Sequence, residues 1–208
     1  MDFGLDKSQK EIQKAAMEFA KGEFESELSL EIEGKNEFPQ KIWEKAGELG
    51  FIGMHYPEKY LGQDLGMLEN ALVVEEFSRK DSTIGCAVSL ASYGAECLVK
   101  YGSDELKEKY LPDVAEAKIK STVAFVEPDN GRDLTLTATT AVKDGEDYLI
   151  NGEKAYVING GDVGFYVVLC RTDANAEAPK GLSMILVPGD ADGITVTPLG
   201  VKLGMKDR

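Results

Sequence analysis

STVAFVEPDNGRDLTLTATTAVKDGEDYLINGEKAYVINGG, residues 121–161, decides the fold class of this 208-residue chain. Residues 121–126 form a short run of apolar, β-branched and aromatic side chains, the composition of a buried strand. The run stops at Glu127-Pro128-Asp129-Asn130-Gly131, because Pro128 fixes its own φ and lacks a donor while Asp, Asn and Gly favour turns. A loop at a strand end is a frequent home for ligand contacts, since a rigid sheet positions it. Local chemistry by itself favours an ordinary interstrand turn there. Beyond it, Leu136, Ala138, Thr140 and Val142 alternate with Thr135, Thr137, Thr139 and Ala141, which predicts a strand half in water. Asp144-Gly145 and Asn151-Gly152 mark two tight hairpins, so the whole stretch reads as a β-meander.

Working outward, the residues before this stretch have helical period. Asp6 followed by Gln9 has the form of a capping box, and Leu5, Ile12, Ala16 and Phe19 recur at helical spacing. Pro39 suits a first helical position, with Ile42, Trp43, Ala46 and Leu49 as the buried stripe and Gly50 as the stop. Residues 48–66 pass through Pro57, Gly62 and Gly66 as a loop, and 67–80 resume the helical period. Residues 84–101 are apolar around most of the circumference, which predicts one central helix closed by Gly102. Ser103 can cap a further helix, disturbed at Pro112. After the meander, residues 165–172 and 182–187 read as strands rich in Val, Leu and Ile, and 194–197 as a last short one. Helices first and antiparallel strands afterwards predict an α+β fold with segregated layers. The period changes near Lys118 without a flexible linker. This places an N-terminal all-α domain over residues 1–119 and a β-domain over 120–208.

Composition narrows the function. A formal charge of −14 and a pI near 4.6 argue against a nucleic-acid or anionic-membrane surface, which needs clustered Lys and Arg. Cys86, Cys97 and Cys170 have no paired short spacing, so neither a disulfide scaffold nor a zinc site is expected. His55 is the only histidine, beside Tyr56 and Pro57, and reads as a loop residue rather than a catalytic one. No leading apolar signal and no membrane span are read, which makes the cytoplasm the expected compartment.

The runs AFVEPDNGRD and DYLINGEKAYVINGG resemble the middle domain of the flavin-dependent acyl-CoA dehydrogenases. Motifs of that family run roughly Thr-Glu-Pro-x-x-Gly-Ser-Asp and Asn-Gly-x-Lys-x-Trp-Ile-Thr-Asn. The loop ELGFIGMHYPEKYLGQDLG and the helical segment YGSDELKEKYLPDVA are similar to the family as well, although Leu61 replaces the first of two usual glycines. The resemblance implies an antiparallel β-barrel or sandwich after the helices, truncated relative to the family. It implies FAD against the β-domain and an acyl-CoA thioester that loses an α-proton to a carboxylate and a β-hydride to flavin N5. The protein's share is to hold flavin and thioester in register and to acidify the α-proton electrostatically. It further implies a homo-oligomer or a complementary C-terminal chain, and an electron-transfer flavoprotein as partner.

Carried over position by position, Phe125 and Val126 occupy sites whose backbones meet the flavin ring edge. Gly131 and Arg132 occupy sites near flavin and thioester, and Tyr156 and Ile158 those of an aromatic wall and a hydroxyl facing the flavin. Val126 and Ile158 each stand where Thr is usual, and Tyr156 replaces Trp. Arg132 replaces Ser with a long cation that can pair with a phosphate or a substrate carboxylate. Two lost hydrogen bonds at roughly 0.5–1.5 kcal/mol each weaken FAD binding by about ten- to a hundredfold, while backbone donors survive. The chain corresponds to about the first half of a usual member. The other half normally carries the catalytic glutamate, so no glutamate here is assigned as the base. Two further readings stand beside a dehydrogenase: a non-catalytic relative serving as subunit or scaffold, and an unrelated binding module.

Overall fold

A capping box starts the first helix as the sequence predicts. The Asp6 carboxylate accepts from the Gln9 N–H at 2.8 Å, and the Gln9 side chain accepts from the Asp6 N–H at 3.1 Å. The structure is a computed structural model and describes residues 4–200 and 202–204. It divides into two units, one running to Lys120 and one from Ser121 to Leu199.

In the first unit, α1 (Lys7–Glu23), α2 (Ser26–Lys35), α3 (Gln40–Glu48) and α4 (Met67–Lys80) are followed by α5 (Ser82–Leu90), α6 (Ala95–Tyr101) and α7 (Asp104–Ala115). The sequence reading missed α2 because Leu28, Leu30 and Ile32 alternate with polar residues, a strand-like period. Only Ser29 and Ile32 of that helix are buried. The single helix expected over 84–101 is two. Ser92-Tyr93-Gly94 interrupts it at a point where burial on both sides hides any change of period. In contrast, Pro112 does not end α7, which continues to Ala115. The one acceptor it orphans is that of Glu108, a residue exposed to water.

Four phenylalanines centre the helical core. Phe77 lies 5.3 Å from the Phe19 and Phe24 rings and 5.5 Å from Phe51, centroid to centroid. Ala16, Ala20, Trp43, Ala46, Ile84 and Val88 close around them. The α4–α5 approach is tight enough that a Cβ on Gly85 would stand 2.6 Å from the Ser78 backbone nitrogen.

The second unit holds β1 (Ser121–Ala124), β2 (Thr140–Asp144), β3 (Asp147–Asn151), β4 (Phe165–Arg171) and β5 (Leu182–Pro188). The α+β class with helices first and strands afterwards stands, and the strand pairing corrects the expected antiparallel meander. The sheet is mixed: β4 pairs in parallel with β1 and, at Thr140 and Arg171, with β2, while β2–β3 and β4–β5 are antiparallel. A near-continuous apolar run such as FYVVLCR suits a central strand flanked on both sides, and parallel pairing follows there. The Asp144-Gly145 hairpin is present, joining β2 to β3. The hairpin expected at Asn151-Gly152 is not, and residues 194–197 form no strand. Before β2, a 3-10 turn spans Leu134–Leu136 where a strand was expected. The side chains turned inward are Thr137, Thr139 and Ala141, whereas Leu136, Ala138 and Val142 face water.

Candidate functional site

The strand-end loop is built around Glu127, a carboxylate almost wholly buried below the turn. Burial of an anion is costly unless donors surround it, and Glu127 has five. The N–H groups of Ala138 and Thr139 donate at 2.8 Å each, the Thr139 hydroxyl at 2.6 Å, the Asn130 amide at 2.8 Å and Lys154 Nζ at 2.8 Å. Burial alone would raise its pKa. The Lys154 and Thr139 side chains and the two main-chain donors outweigh burial and hold it at about 2, well below the ordinary 4.5. The inward direction of Thr139 is therefore explained, since its hydroxyl is needed at Glu127, while the Thr137 hydroxyl donates to the Leu134 carbonyl at 2.8 Å.

This buried ion pair joins three segments. Lys154 also donates to the Phe125 carbonyl at 3.3 Å, and next to it the Ala155 N–H donates to the Val126 carbonyl at 2.9 Å. Arg171 of β4 braces the 3-10 turn from the other side, donating to the Thr137 and Thr135 carbonyls at 3.1 Å each. The loop is thus fixed at both ends to the sheet, the arrangement that a ligand-binding loop requires.

The predicted site residues fall into two groups on this frame. Phe125 and Val126 leave β1 half-buried, and the Ala155 bond brings them beside the segment that carries Tyr156 and Ile158. Tyr156 is in the left-handed region (φ 56°) with its ring 70% exposed, an unusual conformation for an aromatic residue. Asn159, also left-handed (φ 56°), is buried, and Gly161 N–H donates to the Tyr166 hydroxyl at 2.8 Å, so this segment is held at its far end too. Gly131 (φ 54°) and Arg132 lie exposed on the turn above Glu127. Among the described residues, the main-chain N–H groups of Val126, Tyr156 and Ile158 have no hydrogen-bond partner. Two adjoining segments with unpaired main-chain donors fit the acceptor-rich edge of a flavin ring, although the Val126 and Ile158 side chains add no donor of their own.

Sequence reasoning missed Glu127 and Lys154 as the centre of this arrangement. Glu127 reads as part of an ordinary turn, and Lys154 enters only as a member of the Asn-Gly-x-Lys motif. The available signal was a carboxylate set directly against a buried apolar strand, a position where it must find a cation. Among the described residues, no group of His, Cys, Asp and Glu side chains is arranged to hold a metal ion, and no helix is long and apolar enough to cross a membrane.

Comparison with known proteins follows the same division. The family descriptions "Acyl-CoA dehydrogenase, N-terminal domain" and "Acyl-CoA dehydrogenase, middle domain" match residues 6–118 and 122–208. The chain is 31% identical over 201 residues to the mitochondrial isobutyryl-CoA dehydrogenase of Dictyostelium discoideum, covering 97% of this chain and 48% of that protein. A solved glutaryl-coenzyme A dehydrogenase in complex with glutaryl-CoA superposes with a TM-score of 0.92 at 30% identity, over 100% of this chain and 53% of that one. An acyl-CoA dehydrogenase from Bacillus anthracis, complexed with FAD, gives 0.84 at 29% identity, over 97% of this chain and 35% of that one. The chain spans about half the length of the curated relatives it matches.

Proposed function

The chain belongs to the acyl-CoA dehydrogenase family, and from that premise we propose that it forms the FAD-binding part of an enzyme that α,β-dehydrogenates an acyl-CoA thioester. The observation that carries the reading is the junction of residues 125–126 with 155–158, locked by Glu127 and Lys154 and left with unpaired main-chain donors. When bound, FAD supplies the hydride acceptor. On this reading the main-chain N–H groups of Val126 and Ile158 orient the ring edge, Phe125 and Tyr156 bound it with aromatic surface, and Gly131 and Arg132 meet the polar part of cofactor or substrate. The B. anthracis relative that is complexed with FAD supports the cofactor. Oligomerisation or a complementary chain, an electron-transfer flavoprotein as electron acceptor and a cytoplasmic location belong to the same proposal.

A second reading has its own observation. With Val126 and Ile158 offering no side-chain donor and Arg132 standing where a small hydroxyl is usual, a non-catalytic subunit that keeps the fold is the alternative. Flavin titrations followed by fluorescence separate them. V126T and I158T each restore a hydroxyl at roughly 0.5–1.5 kcal/mol, so each should tighten FAD about two- to tenfold. Unchanged affinity in both variants would mean that the flavin ring does not lie at this junction.

A further inference from the structure

The β2–β3 hairpin is an arm that runs out of the sheet. Five residue pairs hold it together, from Thr140–Asn151 to Asp144–Asp147, yet only its base meets β4, at Thr140 and Arg171. Every residue from Val142 to Leu149 is exposed. Exposure is ordinary for the charged tip and unusual for the rest. Val142 and Leu149, directly paired across the two strands, are 63% and 67% exposed, and Tyr148 on the opposite face is 46% exposed. β3 is also an edge strand, pairing with β2 alone among the described residues. The tight turn at Gly145-Glu146 makes Asp144–Asp147 a hydrogen-bonded pair, and alternation extends this to Val142–Leu149 and Thr140–Asn151. The main-chain groups of Tyr148 and Ile150 therefore point to the open edge, where they have no partner among the described residues.

An open apolar edge is a template for another strand, and β3, DYLIN, is complementary to itself in the antiparallel sense. Centred on Leu149, a second copy sets Leu149 against Leu149, Tyr148 against Ile150 and Asp147 against Asn151. No like charges then face each other across the join, and Tyr148 gains a β-branched partner. The outward main-chain groups of Tyr148 and Ile150 exchange hydrogen bonds between copies. On one face, Val142 and Leu149 of both copies line up as a continuous apolar stripe.

We propose that the β2–β3 arm is a self-association surface, on which β3 of two copies pairs antiparallel about Leu149 to give a four-stranded sheet. The pairing is two-fold and uses the one open edge of each arm, so it closes at a dimer. A five-residue edge is small beside a standard interface, so the dimer depends on protein concentration. The surface needs no ligand and stands or falls apart from the flavin site.

Sedimentation velocity over a concentration series, together with cysteine cross-linking, tests this. Wild type should pass from monomer to dimer as concentration rises. L149D sets two carboxylates face to face and should weaken dimerisation about tenfold or more. Leu149 meets its own copy as a non-hydrogen-bonded pair, the closest cross-strand approach, which suits a disulfide. On oxidation with copper–phenanthroline, L149C should cross-link to a dimer. V142C, one strand away from the axis, should cross-link no more than wild type with its three cysteines. A wild type that stays monomeric throughout overturns the proposal. So does a dimer that L149D leaves intact, or equal cross-linking of V142C and L149C. Leu149 is exposed, so its variants should fold, and an unchanged circular-dichroism spectrum checks that.

Discussion

Glu127→Ala should be the most damaging single substitution in the β-unit, costing about 3–5 kcal/mol, because it leaves Lys154 as a buried cation without its counter-ion. It also strands the Ala138 and Thr139 N–H groups, which now donate to the carboxylate. The damage should extend to ligand binding, since Lys154 would lose the anchor that keeps it against the Phe125 carbonyl. Urea unfolding followed by circular dichroism measures the stability. Replacing both partners, as in E127L with K154M, should recover part of the loss, because an apolar pair leaves no buried charge. A cost below about 1 kcal/mol for E127A would remove Glu127 from the centre of the loop. The same carboxylate sets an acid limit. Its folded pKa of about 2 lies below the ordinary 4.5, so its stabilisation is complete above 4.5 and is lost as pH falls towards 2. Proton linkage puts that loss at roughly 3 kcal/mol, absent in E127A.

Phe77→Ala should cost the helical unit about 3–5 kcal/mol, the range for deleting a fully buried aromatic ring. Phe77 is 1% exposed and lies against the rings of Phe19, Phe24 and Phe51, so deleting its ring opens a void among them. Trp43, the only tryptophan, belongs to the same core, and its fluorescence reports this unit's unfolding. F77L, which keeps most of the volume, should cost much less. Equal losses from F77A and F77L would show that ring packing, not volume, is what Phe77 supplies, and a negligible loss from F77A would place the core elsewhere.

Those two sites differ in how far the sequence disclosed them. The phenylalanine core was legible, because helical spacing put Phe19 and Phe77 on inward faces of α1 and α4, and α4 runs over the predicted residues 67–80. The α5–α6 break was not, since both segments are apolar and periodicity carries no information when every face is buried. In the β-unit, the turn at 127–131 and the hairpin at Asp144-Gly145 were local chemistry and are present. The parallel pairing of β1 with β4 is a contact across about forty residues, outside what any local pattern encodes. Alternation alone does not say which set faces inward; Thr137 and Thr139 do, the Thr139 hydroxyl because the buried Glu127 carboxylate accepts from it and the Thr137 hydroxyl donating to the Leu134 carbonyl. The six residues named from the family motifs fall on two segments and a turn joined through Glu127 and Lys154. Neither of that pair had been singled out.

The most direct test of the flavin site is native mass spectrometry of the purified chain, with and without added FAD. A chain carrying one FAD, lost in E127A and retained more firmly in V126T, is the predicted result. A wild-type chain that stays bare and colourless with FAD far above a weak dissociation constant would contradict the site at residues 125–126 and 155–158, and would leave the non-catalytic subunit as the better description.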